Sequence, residues 1–255
     1  MRVLTAIPVY NEERHLHSVL QEVRRYSKHI LIIDDGSTDG TPELLISEKD
    51  IHVVTHTRNS GYGAALISAF NYAIKHGFDI LVTTDCDGQH EPSRIPVLVE
   101  AIHDADIVSG SRYLRTFREN SEAPRERMEI NGVITAEMNE QFGLNLTDTF
   151  CGFKAYRVDA LKKLRITEKS WGMPLQLWVQ AVRLKLRIKE IGVPRIYLDP
   201  KRAFGGVLND ASERLAYYRR VIDSALRDYL PDERKEQHAD YRSSLYMCGC
   251  EETFG

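Results

Sequence analysis

The sequence has no apolar run near the ~20 residues needed to cross a bilayer, so the protein is expected to be soluble or at most to lie on a membrane surface. Cysteine is scarce: Cys86, Cys151, Cys248 and Cys250 are the full set. Their spacing resembles no zinc site, which points to reduced thiols in a cytoplasmic protein. An excess of one charge is also missing. The 255 residues carry a formal net charge of −3, which gives no general affinity for nucleic acid or an anionic membrane. Met1-Arg2-Val3-Leu4 enters a strand pattern at once and leaves no room for a signal peptide. There is no internal repeat and no low-complexity linker.

What is present is a globular composition, 42% hydrophobic and 28% charged, in a chain long enough for one large domain. Strand patterns at Val3–Val9, Ile30–Ile33, Ile51–Thr55, Ile80–Thr84 and Ile107–Ser109 alternate with helical ones. Leu16, Val19, Leu20 and Val23 mark one helix face, Leu66, Ala69, Phe70 and Ala73 another, and Pro92 starts a third helix running to His103. Repeated β-α-β units predict an α/β fold: a mostly parallel sheet with helices on both faces. The second half is less regular. Helices are expected over Met128–Phe142, Leu175–Leu184 and Ser212–Leu230, extended chain over Phe150–Tyr156, and a strand over Ile188–Val193. A single domain is expected over residues 1–230, with halves at 1–110 and 111–230. The polar stretch 231–255 is expected to be a mobile or loosely packed tail.

The chemistry concentrates in Asp85-Cys86-Asp87-Gly88-Gln89-His90, directly after an apolar strand. Two carboxylates one residue apart repel each other, and they fall where an open α/β sheet binds its ligand. A divalent cation removes the repulsion. Oxygen donors with few protein ligands suit Mg²⁺ or Mn²⁺ holding substrate phosphates. Three further loops leave the same sheet edge: Ile7-Pro8-Val9-Tyr10-Asn11-Glu12-Glu13, Asp34-Asp35-Gly36-Ser37-Thr38-Asp39-Gly40-Thr41 and Arg58-Asn59-Ser60-Gly61-Tyr62-Gly63-Ala64. Taken singly, Asp34 and Ser37 also suit turns and caps, and Asn11-Glu12-Glu13 also suits a helix start. Gly61 and Gly63 suit either a turn or close approach of a ligand to the backbone. Together, acidic loops on one edge call for cationic or hydrogen-bonding ligands.

These segments, with Ser109-Gly110-Ser111-Arg112-Tyr113 and Asp148-Thr149-Phe150-Cys151-Gly152-Phe153-Lys154-Ala155-Tyr156-Arg157, resemble family 2 glycosyltransferases of GT-A fold over about residues 1–210. The motif series looks most like dolichyl-phosphate mannose synthases and other polyprenyl-phosphate glycosyltransferases. The resemblance implies a nucleotide pocket lined by Pro8, Tyr10 and Glu12, with Asp35 bonded to the base and Gly61 and Gly63 beside the donor. It implies that Asp85, Asp87 and Gln89 hold the metal, and that Arg112 approaches the phosphates or the sugar. Arg127 and Asn131, four apart on one helix face, would bind the acceptor together with Arg202 in a basic loop. Asp148 would sit near the sugar, as the general base if the acceptor were an alcohol. Each of these arginines also suits a solvated surface, and Asp148 also suits a buried cap. The implied reaction is inverting, metal-dependent transfer from GDP-mannose or UDP-glucose to a polyprenyl phosphate, at the cytoplasmic membrane face. Peripheral membrane contact and oligomerisation are compatible with it.

The sequence departs from that pattern at Gln176, where the synthases carry Glu, at Phe204-Gly205-Gly206, and in having no membrane-spanning tail. A soluble glycosyltransferase with a hydroxyl or small phosphate acceptor is therefore the alternative. A nucleotidyltransferase or an inactive nucleotide-binding module stands behind it.

Overall fold

The computed structural model describes residues 1–198 and 206–228, and the backbone of 250–254. Lys201, Arg202, Phe204, Gly205, Cys248 and nearly all of the expected tail lie outside the described residues.

Eight strands form one sheet in the order β7-β5-β6-β4-β1-β2-β3-β8. They are β1 (Val3–Val9), β2 (Ile30–Asp34), β3 (His52–His56), β4 (Ile80–Thr83), β5 (Ile107–Ser111), β6 (Lys154–Arg157), β7 (Ile188–Gly192) and β8 (Cys250–Phe254). β1 pairs in parallel with β2 and β4, β2 with β3, and β5 with β7. β6 runs antiparallel between β4 and β5, so the two do not pair directly as simple β-α-β repetition would have them do. β8 runs antiparallel on the outer edge of β3, so that the last residues of the expected loose tail form an edge strand.

The central strands are buried on both faces, which is why they read as continuous apolar runs. Along β2, Ile30 and Ile32 enter one apolar cluster and Leu31 and Ile33 the other, the two-residue period of a strand. One face is covered by α1 (Leu16–Arg24) and α4 (Ile95–Ala101) through Leu16, Leu20, Ile95 and Leu98. The other is covered by α3 (Tyr62–Lys75), α5 (Arg125–Phe142), α7 (Met173–Arg183) and α8 (Ala211–Arg227). Phe70, Ile134, Trp178 and Ile222 are among its buried side chains. Two short helices, α2 (Thr41–Ser47) and α6 (Val158–Leu161), have too few residues to show a helical period and were not foreseen. The helix expected from Pro92 to His103 is α4 flanked by two 3₁₀ turns. The strand order reverses at β1, and the loops after β1, β2 and β4 open there on one side of the sheet.

Candidate active site

A cleft of about 960 Å³ occupies this edge. Its floor is built by loops that hold one another. Asn11 adopts a left-handed backbone (φ 57°), which Asn tolerates. Its N–H donates to the Ser37 hydroxyl, and its side-chain oxygen accepts from the Thr38 N–H at 2.8 Å. The Glu12 N–H donates to Thr41 Oγ1, and Glu13 accepts from the Gly40 N–H. Pro8, Tyr10 and Glu12 line the cleft beside these bonds. Asp35 also lines it, but its carboxylate already holds protein groups. Oδ1 meets His56 Nδ1 at 2.6 Å and the Ser60 N–H at 2.9 Å, and Oδ2 accepts from the Gly61 N–H at 2.8 Å. Asp35 thus fixes the loop that begins α3.

Asp85, Asp87 and Gln89 line the same cleft. The Asp87 side chain closes a turn by accepting from the Gln89 N–H. Asp85 Oδ1 accepts from the Tyr62 hydroxyl at 3.0 Å. Burial and then the Asp85 charge push the Tyr62 pKa well above its usual value, so Tyr62 stays a donor. Its ring stacks on Trp171, with centroids 5.1 Å apart. His90 stacks on Phe153 and accepts from the Asp85 N–H, which fixes the loop from below. Among the described residues no three His, Cys, Asp or Glu side chains converge as a metal cage. Two carboxylates and an amide side chain lining an open cleft nevertheless fit a hard cation that takes most of its ligands from phosphate and water.

Gly61 and Gly63 stand close against another segment of the chain. A Cβ on Gly61 would lie 2.3 Å from the Lys169 carbonyl oxygen, and one on Gly63 would lie 2.4 Å from that of Glu168. Gly61 also has φ 106°. The close approach these glycines permit is that of the protein's own 168–170 segment. Gly61 reaches the cleft lining and Gly63 does not.

The second half lines the cleft as well. Asp148 has no exposed surface and does not line the cleft. It accepts from Arg112 Nε (2.6 Å), Arg112 Nη2 (2.9 Å), Asn131 Nδ2 (2.8 Å), and the N–H groups of Arg112 and Phe150. Burial would raise its pKa, but the Arg112 guanidinium and these hydrogen bonds outweigh that and hold the carboxyl below its usual value. A carboxylate so enclosed cannot take a proton from a substrate, so Asp148 is the counter-ion that aims Arg112 rather than a general base. Asn131 lines the cleft and joins the same network, its Oδ1 also accepting from Thr135. Glu190 supports the network from behind, accepting from the N–H groups of Thr147 and Asp148. Gln176 likewise serves the fold: Oε1 accepts from the Thr167 and Glu168 N–H groups and Nε2 donates to Thr167 Oγ1.

Arg112 and Arg127 line the cleft as expected, and Arg214 of α8 lines it unforeseen. All six carboxylates in the lining, Glu12, Glu13, Asp35, Asp39, Asp85 and Asp87, come from the first half of the chain. The described lining residues of the second half include three arginines and no carboxylate. Arg214, Tyr217 and Tyr218 escaped notice because α8 shows mainly its apolar marks. A basic residue within the buried stripe, followed four later by Tyr218, was the signal available. Tyr217 anchors the Trp171 loop, its hydroxyl accepting from the Gly172 N–H and donating to Glu168.

Comparison with known proteins agrees with this geometry. The profile of Glycosyl transferase family 2 matches residues 5–165. An undecaprenyl-phosphate mannosyltransferase of Micrococcus luteus is 33% identical over 222 residues, covering 83% of this chain and 91% of the relative. A polyprenol monophosphomannose synthase of Mycolicibacterium smegmatis is 30% identical over 205 residues, covering 75% of this chain and 76% of the relative. The fold matches glucosyl-3-phosphoglycerate synthase from Mycobacterium tuberculosis, solved with Mn²⁺, UDP-glucose and phosphoglyceric acid. The TM-score is 0.67 at 18% identity, over 91% of this chain and 81% of that one. The expected α/β architecture of GT-A type is therefore present. With the family profile over more than half of the chain and such relatives over most of its length, this chain is a glycosyltransferase enzyme that belongs to glycosyl transferase family 2, with polyprenyl-phosphate glycosyltransferases among its relatives.

Proposed function

We propose that the protein moves a hexose from a nucleoside diphosphate sugar to a polyprenyl phosphate, with inversion at the anomeric carbon. The observation that carries this reading is the make-up of the cleft lining: its six described carboxylates all come from the first half of the chain, which adds one arginine, Arg14, while the described lining of the second half has three arginines and no carboxylate. An acidic wall suits a metal-bound diphosphate, and an arginine wall suits an anionic acceptor. The names of the two relatives above point to the same acceptor class.

In the transfer, an acceptor phosphate oxygen forms a bond to the anomeric carbon. The bond from that carbon to the diphosphate oxygen breaks, and its electron pair leaves with the nucleoside diphosphate. A phosphate acceptor carries no proton that must be removed, so no general base is needed. An alcohol acceptor would need one, and Asp148 is closed to that role. Asp85, Asp87 and Gln89 would hold Mg²⁺ or Mn²⁺, which supplies charge neutralisation for the departing diphosphate. Arg112, held by Asp148, adds a fixed cation on the arginine side of the cleft. Pro8, Tyr10 and Glu12 shape the nucleotide pocket. Asp35 serves it by fixing residues 60 and 61 and can still face the base. Residues 1–110 act as the donor half and 111–230 as the acceptor half of one domain. No described helix is long and apolar enough to cross a membrane, so the lipid would be met at the membrane surface.

The test is a transfer assay with labelled GDP-mannose and UDP-glucose against undecaprenyl phosphate, dolichyl phosphate and a panel of alcohols, with Mn²⁺ or with EDTA. Metal-dependent labelling of a lipid phosphate is the expected result. Labelling of alcohols alone, or full activity in EDTA, overturns the reading.

A further inference from the structure

Behind Asp35 lies a chain of side chains, Asp35–His56–Ser68, of which the transfer itself uses neither His56 nor Ser68. His56 closes β3 and is only 4% exposed, and Ser68 comes from α3. His56 Nδ1 stands 2.6 Å from Asp35 Oδ1, and Nε2 stands 2.8 Å from Ser68 Oγ. An ionised carboxylate only accepts, so Nδ1 carries the proton. In the neutral ring Nε2 then accepts from the Ser68 hydroxyl, which locks that tautomer. The ring is held at both nitrogens and keeps its donor on Oδ1.

Ionised Asp35 has about four lone-pair sites. His56 and the Ser60 N–H fill those of Oδ1, and the Gly61 N–H fills one of those on Oδ2. The site left over is on Oδ2, in a side chain that lines the cleft. Asp35 can therefore take a single N–H from a nucleobase. Uracil offers a single ring N–H, flanked by carbonyls. Guanine offers two donors side by side, the ring N–H and the exocyclic amino group, and a carboxylate meets such a pair with both of its oxygens. At this Asp35 the second donor of guanine would face an oxygen already occupied, and a donor left unpaired on binding is costly.

We infer that His56, locked by Ser68, selects a uracil nucleotide donor over a guanine one by occupying the Asp35 oxygen that guanine would need. This deepens the proposed function and rests on its reading of the cleft as a nucleoside diphosphate sugar site with Asp35 facing the base. It names the donor class, a uridine diphosphate sugar. His56 and Ser68 are absent from the cleft lining and act through Asp35, so both are positioning residues.

The experiment titrates UDP, GDP and inosine diphosphate, with Mn²⁺ present, into wild type, His56→Leu, His56→Asn and Ser68→Ala. Melting curves, kcat and donor KM with UDP-glucose and GDP-mannose are measured in parallel. Hypoxanthine, the base of inosine diphosphate, is guanine without the amino group, so it isolates the second donor from the size of a purine. In wild type UDP should bind about tenfold to a hundredfold more tightly than GDP, as a single unpaired donor would give, with inosine diphosphate in between. His56→Leu empties a site on Oδ1, and the GDP-to-UDP ratio of Kd should fall about tenfold. His56→Asn puts an amide donor where Nδ1 stands and should restore the ratio. Ser68→Ala should lower it only about twofold to fivefold. In these variants donor KM should move and kcat stay, because a base contact is the same in ground and transition states. A purely structural role would weaken both nucleotides alike and leave the ratio untouched, which overturns the inference. GDP binding as tightly as UDP in wild type overturns it too, as does inosine diphosphate binding no better than GDP. Should His56→Leu fail to fold, the wild-type series and Ser68→Ala decide, and a ratio unchanged in Ser68→Ala counts against it. If no nucleoside diphosphate binds to wild type, the proposed function fails and takes this inference with it. If nucleotides bind and sugar is transferred but guanine is preferred, the inference fails alone.

Discussion

The wall assigned to the donor takes its side chains from loops that directly follow β1, β2 and β4, whereas the wall assigned to the acceptor collects Arg112 from the end of β5, Arg127 from α5 and Arg214 from α8. The first wall is local: each motif is a strand, a turn and the start of a helix. The second is assembled only when α5 and α8 pack together, and Asp148, which aims Arg112, is buried behind it. Charge at Asp85 and Asp87 therefore stays beside the open cleft, while Arg112 spends its charge on the buried Asp148. This difference predicts which substitutions damage folding and which damage only turnover.

The largest effect belongs to the second wall. Asp148→Asn leaves the buried Arg112 guanidinium without its counter-ion and is expected to destabilise the fold by about 3–5 kcal/mol, the usual result of breaking one side of a buried pair. Chemical denaturation would measure it. The sign of the pH dependence follows from the depressed pKa. The stabilisation is complete above the unfolded-state value near 3.9 and is lost as pH falls through the lower folded-state value. The stability gap between wild type and Asp148→Asn should therefore close in acid. A gap that stays constant from pH 7 to pH 2 would contradict the assignment.

Asp87→Ala probes the first wall. Transfer should fall by about 10²–10³-fold, as when an electrostatic stabiliser of the transition state is removed, while the melting temperature stays close to wild type. The two variants together test the contrast. Comparable losses of stability in both would erase it.

Gly63→Ala falls between the walls. The added methyl meets the Glu168 carbonyl, and such overpacking is expected to cost about 1–3 kcal/mol. Gly63 is absent from the cleft lining, so donor KM should move less than stability does. A large rise in donor KM with an unchanged melting curve would restore a direct donor role to Gly63.

Tyr62→Phe gives the smallest effect. It removes the hydroxyl that holds Asp85 at 3.0 Å and keeps the ring against Trp171. A loss of about 0.5–1.5 kcal/mol in transition-state stabilisation corresponds to one hydrogen bond, and kcat/KM measures it. An unchanged kcat/KM would show that Asp85 holds its place without Tyr62.

The same contrast explains what could be read from sequence. Asp85, Asp87, Pro8 and Tyr10 were legible because a strand end fixes where the following residues lie, and apolar runs mark strand ends plainly. The parallel sheet was legible for the same reason. The insertion of β6 between β4 and β5 was not, because pairing partners are chosen by tertiary packing rather than by spacing. The enclosure of Asp148 was not legible, since the Arg112, Asn131 and Phe150 donors that saturate it are distant or unremarkable in sequence. Gly61 and Gly63 looked like ligand-facing glycines because nothing in sequence shows the 168–170 segment crossing them.

The antiparallel β6 has a consequence for biosynthesis. Ile80 of β4 pairs with Arg157, and Ile107 of β5 pairs with Tyr156. Until that segment has left the ribosome, β4 and β5 each present an open edge toward the gap between them. The nascent chain has by then already displayed the whole Asp85 motif. Long-range pairings of this kind form slowly, and unpaired edges invite association with other chains. A ribosome stalled between residues 111 and 153 would thus hold the carboxylate loops on a sheet that β6 has not yet joined to β5, a window in which open strand edges invite chaperone capture.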